Sequence, residues 1–342
     1  MKPKLLVIEL WGIGDLTMAT TLLRAALTRY EVTVLAKPHA RPLLSSSFPE
    51  IQFIEWDAPW TVFRGKYFFW RWHWTSLLRL IRRLRSEHFA VGISVRKDPR
   101  DHLLMWVPGI PQRVGIAHRL SRWILNRPVP AGIRPRHVVE DWRAISEALG
   151  LAMDHSPTLA RSGALHCRLS PAANDKPVLC LHVGARIPVR RWPEVYFADL
   201  ISRLRKEFDF YLLLIPDPDG YGRGLASQAD EVVDCIPLDQ LVFVLSTADL
   251  VLCNDSAPSH IAAACGRPVI TLFGPTDPVR FGPWGDEHLV VQRNFCPYRP
   301  CFDYCKFKEP FCLTRLRPEL IWAEVKQHAA KYLNAKVVNR TS

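Results

Sequence analysis

The stretch from Ala248 to Gly285, ADLVLCNDSAPSHIAAACGRPVITLFGPTDPVRFGPWG, constrains the fold more than any other. Its apolar run, Leu250 to Cys253, meets a polar corner, Asn254-Asp255-Ser256-Ala257-Pro258-Ser259, and small residues at helical spacing then lead to Gly266. This pattern predicts strand, tight loop, helix and helix stop. A second apolar run, Val269 to Phe273, ends in Gly274-Pro275-Thr276-Asp277-Pro278 and completes a βαβ unit. Such units bind ligands beyond the carboxyl ends of their strands, and both loops open there. Asp255 and Ser256 are natural N-cap residues, so a helix starting near Pro258 would offer backbone amides and its positive dipole end to an anion such as a diphosphate. Asp255 and His260 then become candidates to hold sugar or phosphate oxygens. The same spacing also fits a plain capped helix with His260 satisfied in an interface, and the pattern alone leaves both readings open.

A chain of 342 residues exceeds the usual single core, so two domains are expected. With 48% hydrophobic residues and evenly spread charge, the composition excludes a disordered protein. The net charge of +12 points to an anionic partner: a phosphorylated small molecule, an anionic membrane surface or nucleic acid. The N-terminus begins like a secretory leader, but Glu9 and Asp15 interrupt its apolar run, which predicts a first strand instead. No stretch approaches the roughly 18 uninterrupted apolar residues of a membrane span. A cytoplasmic protein, peripheral to a membrane at most, is the expectation. Cys167, Cys180, Cys235, Cys253 and Cys265, scattered among apolar residues, read as core thiols in keeping with that compartment.

Along the chain, Leu5 to Leu10 predicts a buried strand, followed by the glycine-bearing loop Trp11-Gly12-Ile13-Gly14-Asp15 and a helix from Leu16 to Arg29. The loop lacks the third glycine of a dinucleotide fingerprint. Its glycines let the backbone approach a ligand, while Asp15 reads either as an N-cap or as a general base. Strands are expected at Val32 to Leu35 and Ile51 to Ile54, with a short helix between them from Pro38 to Ser46. An aromatic segment follows, with Trp56, Trp60, Phe63, Tyr67, Phe68, Phe69, Trp70, Trp72 and Trp74, and runs into a basic amphipathic helix to Arg85. Leu77, Leu80, Ile81 and Leu84 share one face of it and arginines fill the other. Aromatics beside cations suit a lipid headgroup region or an amphiphilic acceptor, and equally a surface helix with solvated arginines. The strand from Phe89 to Val95 carries Arg96, Lys97, Arg100 and His102 beyond its end, placed to meet acceptor phosphates or water.

A helix from Val138 to Leu149 closes the first half, and the turn-rich residues from Ser156 to Pro177 read as a linker. The second α/β cycle opens with a strand from Pro177 to Val183, then Gly184-Ala185-Arg186, a loop carrying Arg190-Arg191-Trp192-Pro193 and a helix from Glu194 to Lys206. Strands at Phe210 to Ile215 and at Val232-Val233, and a helix from Leu238 to Ser246, lead into the βαβ unit. Four βα loops thus converge on one edge, and two successive α/β domains with a cleft between them are expected.

Three ordered segments together resemble the ADP-heptose:lipopolysaccharide heptosyltransferases of glycosyltransferase family 9. They are Gly14-Asp15-Leu16; His182-Val183-Gly184-Ala185 with Arg190-Arg191-Trp192-Pro193; and Asn254-Asp255-Ser256 through His260, Ala262-Ala263 and Gly274 to Pro278. The resemblance covers most of the chain, with 56–135 least constrained. It implies an α/β protein of GT-B architecture, two Rossmann-like domains with parallel sheets facing a central cleft. Residues 1–165 would bind the acceptor and 166–342 the nucleotide sugar, with a last helix, Pro318 to Leu333, packing back on the linker. By the same resemblance Asp15 matches the general base of an inverting single displacement, and Arg190 falls where the family usually has a lysine that neutralises the departing diphosphate. Gly184, Ala185, Asp255, Ser256, Ala257 and His260 match donor-binding positions. Ala257 stands where the family commonly has glycine, which narrows the site and puts donor identity in question. Asp217 and Asp219 are candidates for the nucleotide ribose. Gly14, Arg96 and Lys97 are assigned to the acceptor.

The implied function is transfer of a heptose or similar sugar from an ADP-sugar to a lipopolysaccharide-like, anionic glycan acceptor. It would need no cofactor and no metal, since no DxD-type pair lies at the cleft. The segment Trp70 to Arg85 would face the inner membrane surface, and no nucleic acid is expected as a partner, since no recognisable binding module is present. Cys296, Cys301, Cys305 and Cys312 resemble a cysteine cluster of some members; their spacing fits unligated thiols or a structural loop better than a thiolate metal site. Two other readings remain: a GT-B transferase with another nucleotide sugar or a different acceptor, and a catalytically silent GT-B module that binds anionic glycan. The carboxylate of Asp15 argues against the last.

Overall fold

The computed structural model describes residues 2–62, 68–118, 121–130, 132, 136–152, 156–161, 175–234, 236–302 and 304–334. Phe63, Tyr67, Cys167 and Cys235, the expected boundary at 165/166 and most of the expected linker lie outside them. The chain divides between Thr158 and Leu159 into two compact units.

The N-terminal unit is built on β1 (Lys4–Glu9), whose Leu5, Leu6, Val7 and Ile8 are fully buried. Burial on both faces is why this strand reads as an unbroken apolar run. Around it lie β2 (Glu31–Ala36), β3 (Gln52–Glu55), β4 (Val91–Ser94), β5 (Gln112–Ile116) and β6 (Arg127–Val129), all parallel, in the order β3-β2-β1-β4-β5-β6. The order reverses direction between β1 and β4, the switch point at which doubly wound sheets open a crevice. Helices α1 (Ile13–Leu27), α2 (Ala40–Leu44), α3 (Trp74–Ser86), α4 (Pro99–Trp106) and α5 (Val138–Ala148) complete the unit. Helix α5 begins with a capping box between His137 and Glu140.

The C-terminal unit repeats this plan. Its strands β7 (Val178–His182), β8 (Tyr211–Ile215), β9 (Glu231–Val232), β10 (Leu250–Asn254), β11 (Val269–Leu272) and β12 (Leu289–Val291) are parallel and ordered β12-β11-β10-β7-β8-β9. The switch point falls between β7 and β10. Helices α6 (Glu194–Glu207), α7 (Leu238–Thr247), α8 (Ala257–Ala264), α9 (Pro278–Phe281), α10 (Phe311–Thr314) and α11 (Pro318–Leu333) accompany them. Helix α11 lays Ile321, Val325, Ala329 and Leu333 into the same core as Trp192 and Phe197, and packs against α6.

Sequence patterning did not anticipate α4, β5, β6 or β12. The three strands span five residues or fewer, too short to show a period. No helix among the described residues is long and apolar enough to cross a membrane.

Candidate active site

In the C-terminal unit the site grows from the carboxyl ends of the two central strands. Asn254, last residue of β10 and fully buried, donates from Nδ2 to the Val183 carbonyl at 2.6 Å and accepts from the Trp192 amide at 3.0 Å. One side chain thereby ties both ends of the loop that follows β7. Trp192 anchors that loop further, its indole donating to the Leu316 carbonyl at 2.6 Å. At Gly184 the backbone runs so close to Asp217 that an added Cβ would lie 2.2 Å from its carboxylate.

The two arginines of the loop do different work. Arg191 is clamped: Nε donates to the Ala185 carbonyl at 2.9 Å, Nη2 lies 2.7 Å from Asp219 and 3.4 Å from Asp217, and the guanidinium sits 4.9 Å over the Tyr221 ring. The two candidate ribose carboxylates are therefore held by an arginine of their own unit. Arg190 ends a single 3₁₀ turn, Pro188–Arg190, and brings Nη1 to 3.5 Å from Asp255 Oδ2. Asp255 is buried, takes a hydrogen bond from the Thr276 hydroxyl and follows β10 directly. The ion pair thus joins the loop after β7 to the loop after β10 across the switch point.

Ser256 occupies the N-cap position of α8, but its hydroxyl bonds the Asn254 carbonyl at 3.2 Å and caps no helix amide, contrary to the expected side-chain cap. Ala257 and Pro258 open the helix, and His260 is buried one turn in. Proline removes one donor from this first turn, leaving the amides of Ser256 and Ala257 at its mouth. Burial pushes the His182 imidazole down to about 4, so it is neutral at the end of β7.

In the N-terminal unit Gly12, not Asp15, is the N-cap of α1. Asp15 is the third helical residue, where its charge meets the positive end of the helix and where no capping role explains it. Gly14 lies beside it in the first turn. The expected picture of Arg96 and His102 as cations meeting phosphate or water changes. Arg96 forms an ion pair with Asp15 and lies 3.9 Å from Glu9, while His102 is fully buried in α4, pushed by burial down to about 4 and therefore neutral. Arg100 pairs with Asp98 at 2.6 Å, and Lys97 is exposed. Trp11, Arg96, Lys97, Asp98, Pro99 and Arg100 line an open hollow of about 520 Å³ beside the β1/β4 switch point.

Sequence reasoning missed Glu9, Asn254 and Thr276 as parts of these sites, and missed the start of α4. Asp98-Pro99, a cap residue before proline at the first helical position, is the signal that would have found α4; Asp98 does accept from the Arg100 amide at 3.0 Å. Cys296 and Cys312 are buried, Cys301 and Cys305 half-buried, and all four are free thiols. The described residues contain no group of three or more side chains placed to hold a metal.

Two doubly wound parallel units, each with its polar residues gathered at a switch point, define a protein of the GT-B fold class. Residues 77–310 match glycosyltransferase family 9 (heptosyltransferase), and the chain belongs to that family. Lipopolysaccharide heptosyltransferase 2 of Escherichia coli (strain K12) is 26% identical over 317 residues, covering 84% of this chain and 88% of that relative. The solved structure of E. coli ADP-heptose lps heptosyltransferase II aligns with a TM-score of 0.70 at 21% identity, over 96% of this chain and 99% of the other. E. coli heptosyltransferase WaaC with ADP aligns with a TM-score of 0.73 at 19% identity, over 95% and 100%. The fold is shared throughout.

Proposed function

We propose that this transferase moves a heptose from an ADP-heptose donor to a lipopolysaccharide core acceptor with inversion. The observation that carries this is the placement of Asp15: a carboxylate on the first turn of α1 that caps nothing and faces Arg96 at the rim of a cationic hollow. In the proposed reaction Asp15 takes the proton of the acceptor hydroxyl as its oxygen attacks the anomeric carbon, and the ADP diphosphate departs. Arg190 neutralises the diphosphate. Gly184, Ala185, Asp255, Ser256, Ala257 and His260 hold the donor, with the α8 amides at its phosphates. Gly14, Arg96 and Lys97 serve the acceptor, Lys97 directly and Arg96 through its hold on Asp15. Residues 1–165 and 166–342 are assigned to acceptor and donor respectively.

The test is acceptor-dependent ADP release from ADP-heptose with a truncated lipopolysaccharide. Asp15→Asn should lower kcat by about 10²- to 10⁴-fold, the usual worth of a positioned base. Arg190→Ala should lower kcat by about 10²-fold, with Arg190→Lys recovering part of it. Equal turnover by Asp15→Asn would refute the mechanism. The Ala257 methyl at the mouth of α8 favours a second reading, a different nucleotide sugar, and release of another nucleoside diphosphate in the same assay would establish it.

We further propose a cytoplasmic enzyme docked on the inner membrane face through Trp70 to Arg85. Phe69 and Trp70 are 60% and 65% exposed and stack edge to face, with centroids 5.1 Å apart. Trp74, the first residue of α3, and Leu78, one turn further along it, continue the exposed surface, and the exposed Arg79, Arg82, Arg83 and Arg85 lie on the same helix. Vesicles containing anionic lipid should sediment the protein and neutral ones should not; Trp70→Ser with Phe69→Ser should release it. Retention by the double variant would exclude this surface.

A further inference from the structure

Glu9, the last residue of β1, has no exposed side-chain surface. Its Oε1 accepts the Trp11 amide at 3.1 Å, and Oε2 has no hydrogen-bond partner among the described residues. A buried carboxyl with an unsatisfied oxygen costs stability, and a neutral side chain would serve the strand better. Stability therefore does not account for this residue.

Its surroundings supply a reason. Arg96, from the segment after β4, has Nε 3.9 Å from Glu9 Oε1, its Nη2 ion-paired with Asp15 Oδ1 and its guanidinium 5.2 Å over the Trp11 ring. The Arg96 amide donates to Ser94 Oγ at 3.2 Å. Asp101 of α4, held by the Trp60 indole at 2.9 Å, adds its negative field to the same guanidinium. Two carboxyls from two elements thus flank one cation, and a third acts on it through its field. Burial hides Glu9 and Asp101 fully, while Asp15 keeps 19% of its side chain exposed. Only Asp15 can meet a substrate.

We propose that Glu9 and Arg96 are positioning residues for Asp15, Arg96 orienting the carboxylate by occupying Oδ1 and Glu9 anchoring Arg96 from behind. This rests on the reading of Asp15 as the base. Oδ2 is then the oxygen presented to the acceptor hydroxyl. Burial, working against the nearby Arg96, pushes Glu9 up to about 8, with Asp15 and Asp101 adding to the rise. Arg96 itself stays charged although burial opposes it, because Asp15 and then Glu9 outweigh that cost. When Glu9 ionises, its hold on the guanidinium strengthens, and Arg96 keeps Asp15 more firmly in place.

Glu9→Gln keeps shape and the bond from Trp11 but removes that charge. In full-length enzyme assayed from pH 6.5 to 9, the wild-type advantage in kcat should grow from about twofold to about tenfold, with donor KM unchanged. The variant should unfold at a higher temperature than wild type at pH 9, because a buried charge is gone. Parallel pH profiles, or a kcat loss that accompanies a lower unfolding temperature, would overturn the proposal. Asp15→Asn run alongside separates the two ideas. If it collapses while Glu9→Gln tracks wild type at every pH, only the positioning role fails; if Asp15→Asn stays active, the base reading fails and the positioning role with it.

Discussion

Gly222 adopts φ of +95°, and a Cβ there would lie 2.0 Å from Val183 Cγ2 in the loop that Asn254 ties down. Gly222→Ala therefore combines backbone strain of about 1–3 kcal/mol with a collision, and should lower the urea midpoint measurably. Gly184→Ala acts differently: its backbone is unstrained, but Asp217 must swing away, releasing one of the two carboxylates that clamp Arg191. Its expected mark is a raised donor KM with a smaller loss of stability. Asp15 and Arg190, the proposed base and phosphate-neutralising cation, stand out in the sequence because they sit in short motifs with family-like spacing. Glu9 could not, since one charge at the end of an apolar run looks like an interruption, and only the register of β1 beside β4 brings it to Arg96.

At the scale of elements, the loop from Val183 to Pro193 owes its course to one buried amide. Asn254→Ala removes the bonds to Val183 and Trp192 and leaves a carbonyl and an N–H unpaired, a cost of about 1–3 kcal/mol for each buried group. Faster hydrogen exchange at the Trp192 amide and a raised donor KM are expected together; unchanged exchange there would show that Trp192 is held by its indole alone. The strands and helices around this loop were legible because burial imposes period: β7, β8, β10 and β11 are continuous apolar runs, and α3 and α6 show a helical stripe. The stretch from α4 to β6 was not, because its elements are short and its buried Asp101 and His102 read as surface residues.

Across the whole molecule the buried titratable groups divide unequally. In the C-terminal unit burial pushes His182 and His328 down to about 4 from an ordinary 6.5. The unfolded chain binds more protons in that window, so this unit loses stability as pH falls from about 6.5 toward 4. In the N-terminal unit burial raises Glu9 to about 8 and Asp101 to about 7. There the folded state binds more protons, and stability is lost as pH rises through those values; His102, pushed down to about 4, opposes this only below 6.5. Hydrogen exchange on the full chain, corrected for intrinsic rates, should show N-terminal protection falling relative to C-terminal protection between pH 5 and 8. A pH-independent ratio would contradict it.

Among the described residues no strand is lent from one unit to the other, and two apolar clusters, one around Leu6 and Trp60 and one around Trp192 and Phe197, each draw their residues from one side of Thr158. Inheritance can act on such a molecule in halves: under the proposed division of acceptor and donor between the units, drift in the pocket for one substrate leaves the folding of the other half untouched, so a lineage could explore new acceptors while keeping its donor, and recombination near residue 158 could exchange one partner's chemistry without rebuilding the other's.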